Sequence, residues 1–346
     1  MSFAAGVALM EILLPGSKEF VSTLDVLLFI ASDNPNYSAL GVEYYKEYYR
    51  DIDFVDLSFI VTDNKVPILA FIGSSRKVSA DSIEIAAYGQ PCFHVECNQH
   101  STSMKSARKI LKKKIKEFVS ETESVQINYR DSLQENSLSV VSQYLLDQGA
   151  FARPLFDQVV NLTKPVIQLR QDVRKSYKSL INWGLNNLTI KILNASNVLI
   201  PEMNDFRNLH INVAGRETRS EETWNIQYQM IQKGKAFLVL GYLDDVLVTG
   251  AFFIFNEKSC YYGVAASNRA LFDKPISHAI IWSAITYARE QGQLLLIMGQ
   301  QLFLSVEEPK PTVKELGIST FKKGFGGETK VSMEIQLGMT REQQRQ

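Results

Sequence analysis

Thr320-Phe321-Lys322-Lys323-Gly324-Phe325-Gly326-Gly327-Glu328 closes the second of two runs that share one order of elements, and its reading settles how the chain is divided. Two lysines stand beside two aromatic rings, and three glycines fall within four residues. Phenylalanine and lysine together suit a site with an apolar wall and a cation. Glycine lets the backbone adopt φ > 0 or approach a neighbour closely. The competing reading is a glycine turn with surface lysines ahead of a last strand, Lys330 to Leu337.

Working outward, period-two alternation predicts strands at Phe237 to Leu243, Val246 to Phe255 and Cys260 to Ala265. A helix from Pro275 to Glu290 follows, stopped by Gly292, then strand Leu294 to Met298 and a short helix from Val313. The first half repeats that order. Strands at Val55 to Val61, Val66 to Ile72 and Ser82 to Tyr88 precede a long helix from Ser103 to Val119. Its apolar stripe is Met104, Ala107, Leu111, Ile115 and Phe118. Strand Ser124 to Asn128, helix Ser137 to Leu146 and strand Phe156 to Leu162 complete it. The fold class is therefore α+β, in two domains at 1–165 and 166–346, each a mixed, mainly antiparallel sheet flanked by helices. A connecting helix at about 168–183 opens the second domain, with Gly184 as its stop. The element order is that of two tandem GNAT-like (acyl-CoA N-acyltransferase fold) domains.

Composition narrows the function. The 346 residues carry 37 Lys+Arg and 37 Asp+Glu, so no global field selects a nucleic acid or a membrane, and any anion site is local. The strongest local bias is the long first-half helix, with Lys105, Arg108, Lys109, Lys112, Lys113, Lys114 and Lys116. That helix reads as a dock for an RNA backbone or an anionic lipid surface, through Lys109, Lys112, Lys113 and Lys116, or as a solvated face. Three cysteines make no disulfide framework and suit a reducing, cytoplasmic setting. Cys92, His94, Cys97 and His100 are metal-ligating types, but their spacing matches no zinc pattern and an alternating strand scatters them, so no metal is expected. The apolar stretch Phe3 to Leu14 contains Glu11, is too short to span a bilayer, and reads as a first strand. Tyr44, Tyr45, Tyr48 and Tyr49 line one helical face, a packing surface or a groove.

The second half resembles the FemAB family of double-GNAT transferases. The resemblance rests on Arg174-Lys175, Gly215-Arg216-Glu217-Thr218-Arg219, Lys274-Pro275-Ile276-Ser277-His278-Ala279-Ile280-Ile281-Trp282 and Phe321-Lys322-Lys323-Gly324-Phe325-Gly326. It covers most of 166–338 and is weaker in the first half, where Tyr88-Gly89-Gln90-Pro91 is the best point. It implies amide formation between an activated acyl or aminoacyl donor and the amine of a cell-envelope precursor, a muropeptide or a nucleotide-linked amino sugar. The co-substrate it implies is aminoacyl-tRNA, with no tightly bound cofactor. One alternative is an acyl-CoA-dependent N-acyltransferase in surface polysaccharide synthesis. Another is a catalytically silent double-GNAT binding protein.

Such chemistry needs a fixed cation where an oxyanion develops, and the resemblance gives that place to Lys322, beside Phe321. His278 and Trp282 lie one helical turn apart, as pocket residues, with His278 the candidate base, or as a capping-turn histidine over a core tryptophan. Arg216 and Arg219 are shaped to clamp a diphosphate, or are solvated beside Glu217, Glu221 and Glu222. Of Tyr261 and Tyr262, strand alternation sends one ring to the core and leaves the other for the cleft. The residues before the Pro275 helix, Asn268 to Lys274, contain no glycine, which weighs against a coenzyme A pyrophosphate loop.

Overall fold

A computed structural model describes residues 10–32, 34–97, 102–120, 124–133, 136–304 and 310–340. Residues 10–32, 37–155 and 331–340 form one compact unit, and 34–36 with 156–330 form the other. The division expected at 165/166 thus falls at 155/156, and the last strand joins the first unit. Strand partners far apart in sequence leave no local mark, so this exchange is not readable from the chain alone.

In the first unit the order is β1 (Met10–Leu13), α1 (Lys18–Ala31), α2 (Ala39–Tyr48), β2 (Val55–Asp56), β3 (Phe59–Asp63), β4 (Val66–Ile72), β5 (Ser74–Ser79), β6 (Ser82–Ala86), β7 (Phe93–Glu96), α3 (Thr102–Ser120), β8 (Ser124–Asp131), α4 (Val140–Asp147) and the start of β9 (Phe151–Asn161). The expected strands are present but interrupted. Gly73 separates β4 from β5, because any β-carbon there would lie 2.6 Å from the Phe71 ring. A tight turn at Ala87–Gln90, with Tyr88 at φ 50° and Gly89 at φ 79°, separates β6 from β7. The Met104, Ala107, Leu111, Ile115 stripe of α3 is fully buried. The tyrosines of α2 pack on one another, Tyr44 against Tyr45 and Tyr48 against Tyr49. Of the expected first strand, Met10–Leu13 is a strand; residues 3–9 and His100 lie outside the described residues.

The second unit runs from the end of β9 through α5 (Val166–Asp172), α6 (Lys175–Asn187), β10 (Thr189–Leu193), α7 (Ile200–Ala214), α8 (Glu221–Gln232), β11 (Ala236–Leu243), β12 (Val246–Phe255), β13 (Ser259–Ser267), α9 (Ile276–Glu290), β14 (Leu295–Gln300), α10 (Val313–Lys323) and the start of β15 (Glu328–Thr340). Its strands pair in the order β10-β11-β12-β13-β14-β9. Phe237, Leu238, Val239 and Leu240 are consecutive and wholly buried, which requires cover on both faces of the sheet. Helix α9 packs on one face, and α7 with α8 on the sheet's other side.

Two expectations change here. The connecting helix is broken into α5 and α6 at Val173 and Arg174, whose backbones are extended. Gly184 lies inside α6 and does not stop it, since its missing side chain lets the helix meet α9, where a β-carbon would sit 2.5 Å from that of Ala279.

Both units share a core plan. In each, an antiparallel strand pair is followed by a helix and a strand that pairs parallel with one of its members: β5 and β6, then β7, α3 and β8 in one, and β12 and β13, then α9 and β14 in the other.

Candidate active site

Parallel pairing of β13 with β14 covers only Ser259 to Tyr261 against Leu295 to Ile297, although β13 runs on to Ser267. Both strands are bulged where they part. On β13 the register with β12 slips between Phe252 and Phe253, leaving Gly263 as the extra residue. On β14 the register with β9 slips between Ile297 and Gly299, leaving Met298 extra and Gly299 at φ 87°. Bulges bend a strand and end its pairing, so the two strands diverge and leave a mouth between them.

Lys322 reaches this mouth. It lies in the last turn of α10, which extends further toward the glycine run than the sequence indicates. Thr312 and Glu315 cap the start of that helix reciprocally, with Thr312 N donating to Glu315 Oε2 at 2.8 Å. A β-carbon on Gly299 would lie 3.0 Å from Lys322 Nζ and 3.5 Å from the Tyr261 hydroxyl, so amine and phenol meet over that bare backbone. Burial holds the Lys322 amine below the usual lysine range, and the carboxylate of Asp157 on β9 pulls the other way. Lys323, the next residue, is exposed. Tyr262 takes the other side of β13, stacks on Phe253 at 5.3 Å, and its phenol is pushed by burial up to about 12.

The end of β14 is tied to α10. Buried Gln301 donates through Nε2 to the Ser319 carbonyl at 2.9 Å, and Ser319 Oγ accepts from Leu302 N at 3.0 Å. At the far end of β13, Ser267 Oγ lies 2.8 Å from Ser277 Oγ in the first turn of α9. The preceding residues make one short 3₁₀ turn, Arg269–Leu271.

The other expected site residues fall in three places. His278 is enclosed by the rings of Tyr177, Phe321 and Phe325, at 4.6, 5.3 and 6.1 Å, and burial holds its imidazole below the usual range. Trp282 lies under the guanidinium of Arg170, 4.8 Å from the ring centre. Arg219 lies over Trp224 of α8 at 5.1 Å, with His210 of α7 on the same indole at 5.3 Å, while Arg216 is exposed. On α7, α8 and the loop between them, Arg207 Nε, His210 Nδ1, Thr218 Oγ1, Trp224 Nε1 and Gln227 Oε1 are buried polar atoms with no hydrogen-bond partner among the described residues. The structure thus joins Phe321 and His278 in one aromatic cluster, sets Tyr261 beside Lys322, and keeps Arg219 in a cluster of its own. Gly299, Asp157, Gln301, Ser319 and Tyr177 carry no motif and are invisible to a sequence reading, because their parts depend on strand register and on contacts between separate elements, from 18 residues apart for Gln301 with Ser319 to more than a hundred for Tyr177 with Phe321. In the first unit, Lys109, Lys112, Lys113 and Lys116 lie on the exposed face of α3, with Lys112 and Lys116 each 5.6 Å from the Tyr144 ring centre. Among the described residues no group of three or more His, Cys, Asp or Glu side chains could hold a metal ion. No described helix is long and apolar enough to cross a membrane.

No protein-family model matches the sequence, and no curated protein matches it. Solved structures do match. FemX superposes with a TM-score of 0.66 at 14% identity, over 94% of this chain and 96% of that one. L-PGS from Bacillus licheniformis gives 0.57 at 12%, over 93% of each chain. The C-terminal domain of a putative lysylphosphatidylglycerol synthetase from Agrobacterium fabrum gives 0.53 at 10%, over 91% of each. The chain therefore has a FemAB-like double-GNAT fold, of mixed, mainly antiparallel sheets flanked by helices.

Proposed function

We propose that this chain is a FemAB-like transferase that forms an amide between an activated acyl or aminoacyl donor and the amine of a cell-envelope precursor, a muropeptide or a nucleotide-linked amino sugar. The observation that supports it is the meeting of Lys322 Nζ and the Tyr261 hydroxyl over Gly299, where β13 and β14 part. Attack of an amine on an acyl carbon forms a tetrahedral intermediate whose oxygen becomes negative. Donors already fixed at that oxygen lower the barrier most, because nothing reorganises during the reaction. Lys322 supplies the charge and Tyr261 an O–H donor beside it. Phe321 is the apolar wall, and the His278 ring lies edge-on to it at 5.3 Å. Arg219 and Arg216 bind the diphosphate of the precursor, and Trp282 shapes the helix that bears His278. The donor is a co-substrate, aminoacyl-tRNA, whose backbone lies along Lys109, Lys112, Lys113 and Lys116, and the reaction takes place in the cytoplasm. The likeness to FemX, and to the C-terminal domain of a putative lysylphosphatidylglycerol synthetase, supports aminoacyl transfer.

Acyl-CoA is the second donor to consider, because the open edges of β13 and β14 suit an extended arm. The glycine-free stretch before α9 weighs against it. The test is a pair of incubations of the purified chain. One supplies isotopically labelled aminoacyl-tRNA with a UDP-muropeptide, the other acetyl-CoA with a UDP-amino sugar, and mass spectrometry reads the amide. Product in the first is expected. Micromolar acetyl-CoA affinity with turnover in the second promotes the acyl-CoA reading. Binding without product in either leaves a silent binding protein.

A further inference from the structure

Five aromatic and backbone contacts converge on one residue that has no place in the reaction. Tyr177, in the first turn of α6, lies flat against Gly324, where a β-carbon would come within 2.5 Å of Tyr177 Cζ. Its ring meets Phe325 at 5.4 Å, Phe321 at 6.1 Å and His278 at 4.6 Å, the last edge to face. The guanidinium of Arg174 lies over the ring at 5.2 Å. The backbone joins in: Arg174 N donates to the Gly324 carbonyl, and Tyr177 N to the Arg174 carbonyl, each at 2.9 Å. This explains the break between α5 and α6. Arg174 N bonds to the turn after α10, not to its own helix.

The consequence for α10 follows from helix geometry. Phe321 and Lys322 are neighbours, so their side chains diverge by about 100° around the axis. Holding Phe321 in the ring cluster fixes the rotation of the last turn, and with it the direction of Lys322. We propose that Tyr177, seated in the notch of Gly324, is a positioning residue that sets the last turn of α10 so that Lys322 Nζ lies over Gly299 beside the Tyr261 hydroxyl. The glycine at 324 is then required by a neighbouring ring and not by a ligand. This inference rests on the reading of Lys322 as the site's cation.

Competitive acetylation with trace acetic anhydride across a range of pH, read lysine by lysine by mass spectrometry, tests it without a substrate. The midpoint of each labelling curve reports protonation of that amine and not its accessibility. In the native chain Lys322 is expected to titrate below the ordinary lysine range, because it is half-buried. In Tyr177→Leu and in Gly324→Ala, the Lys322 midpoint is expected to rise toward the ordinary lysine range, because the amine loses its sheltered place. Tyr177→Phe keeps the ring and is expected to retain the native midpoint. If Gly324→Ala does not fold, Tyr177→Leu, which inserts nothing, gives the same reading. An unmoved Lys322 midpoint in folded Tyr177→Leu overturns the positioning role. A native Lys322 midpoint within the ordinary lysine range overturns instead the reading of Lys322 on which it rests.

Discussion

The parallel strand pairs of the two units start alike and end differently. In the first unit β6 pairs with β8 from Ser82/Ser124 to Ile85/Ile127, and the Ala87–Gln90 turn then interrupts it. Beyond the turn Cys92 returns to β8: its N–H donates to the Asn128 carbonyl, and Arg130 N donates to its carbonyl, both at 2.8 Å. The pair is closed again. Beside it, His94 Nδ1 meets the Tyr129 hydroxyl at 2.7 Å, and Glu96 takes two bonds from Arg108 at 2.9 and 2.7 Å. In the second unit nothing rejoins β13 to β14 after Tyr261 among the described residues, and a lysine and a tyrosine stand in the gap. One element order yields a sealed scaffold or an open mouth according to where a few residues of bulge are spent. A site search in a duplicated fold should therefore follow the unsealed pair.

The largest effect expected from attacking this contrast is in the frame of the open unit. Gly327 has φ 86°, and a β-carbon there would lie 2.8 Å from the Val159 carbonyl carbon on β9. Backbone cannot move aside as a side chain can. Gly327→Ala is expected to destabilise by roughly 3 kcal/mol or more, as strain and clash combine. Chemical denaturation measures this, and a loss under 1 kcal/mol would contradict the geometry.

In the sealed unit a comparable attack falls on a charge pair. The Glu96 carboxylate is buried, which raises its pKa, but Arg108 and then His94 outweigh this and hold it down to about 2. Glu96→Gln is expected to cost roughly 1.5–3 kcal/mol, the range for hydrogen bonds to charged groups. The lower part of the range applies because the Arg108 side chain is 39% exposed and screened. A depressed carboxylate contributes stability that is present above the ordinary glutamate range and lost as pH falls toward 2. Melts from pH 6 downward should therefore show the native chain converging on the variant. A constant gap over that range would remove Glu96 from the account.

The smallest effect belongs to the helix that borders the sealed pair. Lys109, Lys112, Lys113 and Lys116 are exposed, so replacing all four by Gln is expected to change stability by no more than about 0.5 kcal/mol per site. The same variant should lower RNA affinity and reduce its salt slope by about 0.7 per lysine that contacts phosphate. An unchanged slope assigns these lysines to solvent.

What the chain discloses about itself divides along the same line. Local order is legible: the buried stripe of α3 and the meander of β11 to β13 follow from periodicity. The exchange of β15 is not, because its partners, such as Met333 with Asp131, lie about two hundred residues apart. Nor is the mouth, which arises from single-residue slips at Gly263 and Met298 that alternation averages over. The glycine run was legible as a need for close approach, but what approaches is protein: Tyr177 at Gly324, Asp172 at Gly326 and Val159 at Gly327. The resemblance makes His278 a candidate base or a capping-turn histidine, and the rings of Tyr177, Phe321 and Phe325 that surround it come from elements no local pattern connects.

The central claim is that the amine over Gly299 acts where charge develops. Lys322→Met keeps most of the stem and removes the charge, and Lys323→Met does the same on the exposed neighbour. In the aminoacyl-transfer assay, Lys322→Met is expected to lower kcat by roughly 10²–10³-fold, the scale for losing one such donor, with acceptor affinity little changed. Lys323→Met is expected to be nearly silent. Equal, mild losses at both lysines would contradict the account and reduce the Phe321–Gly327 stretch to a structural turn.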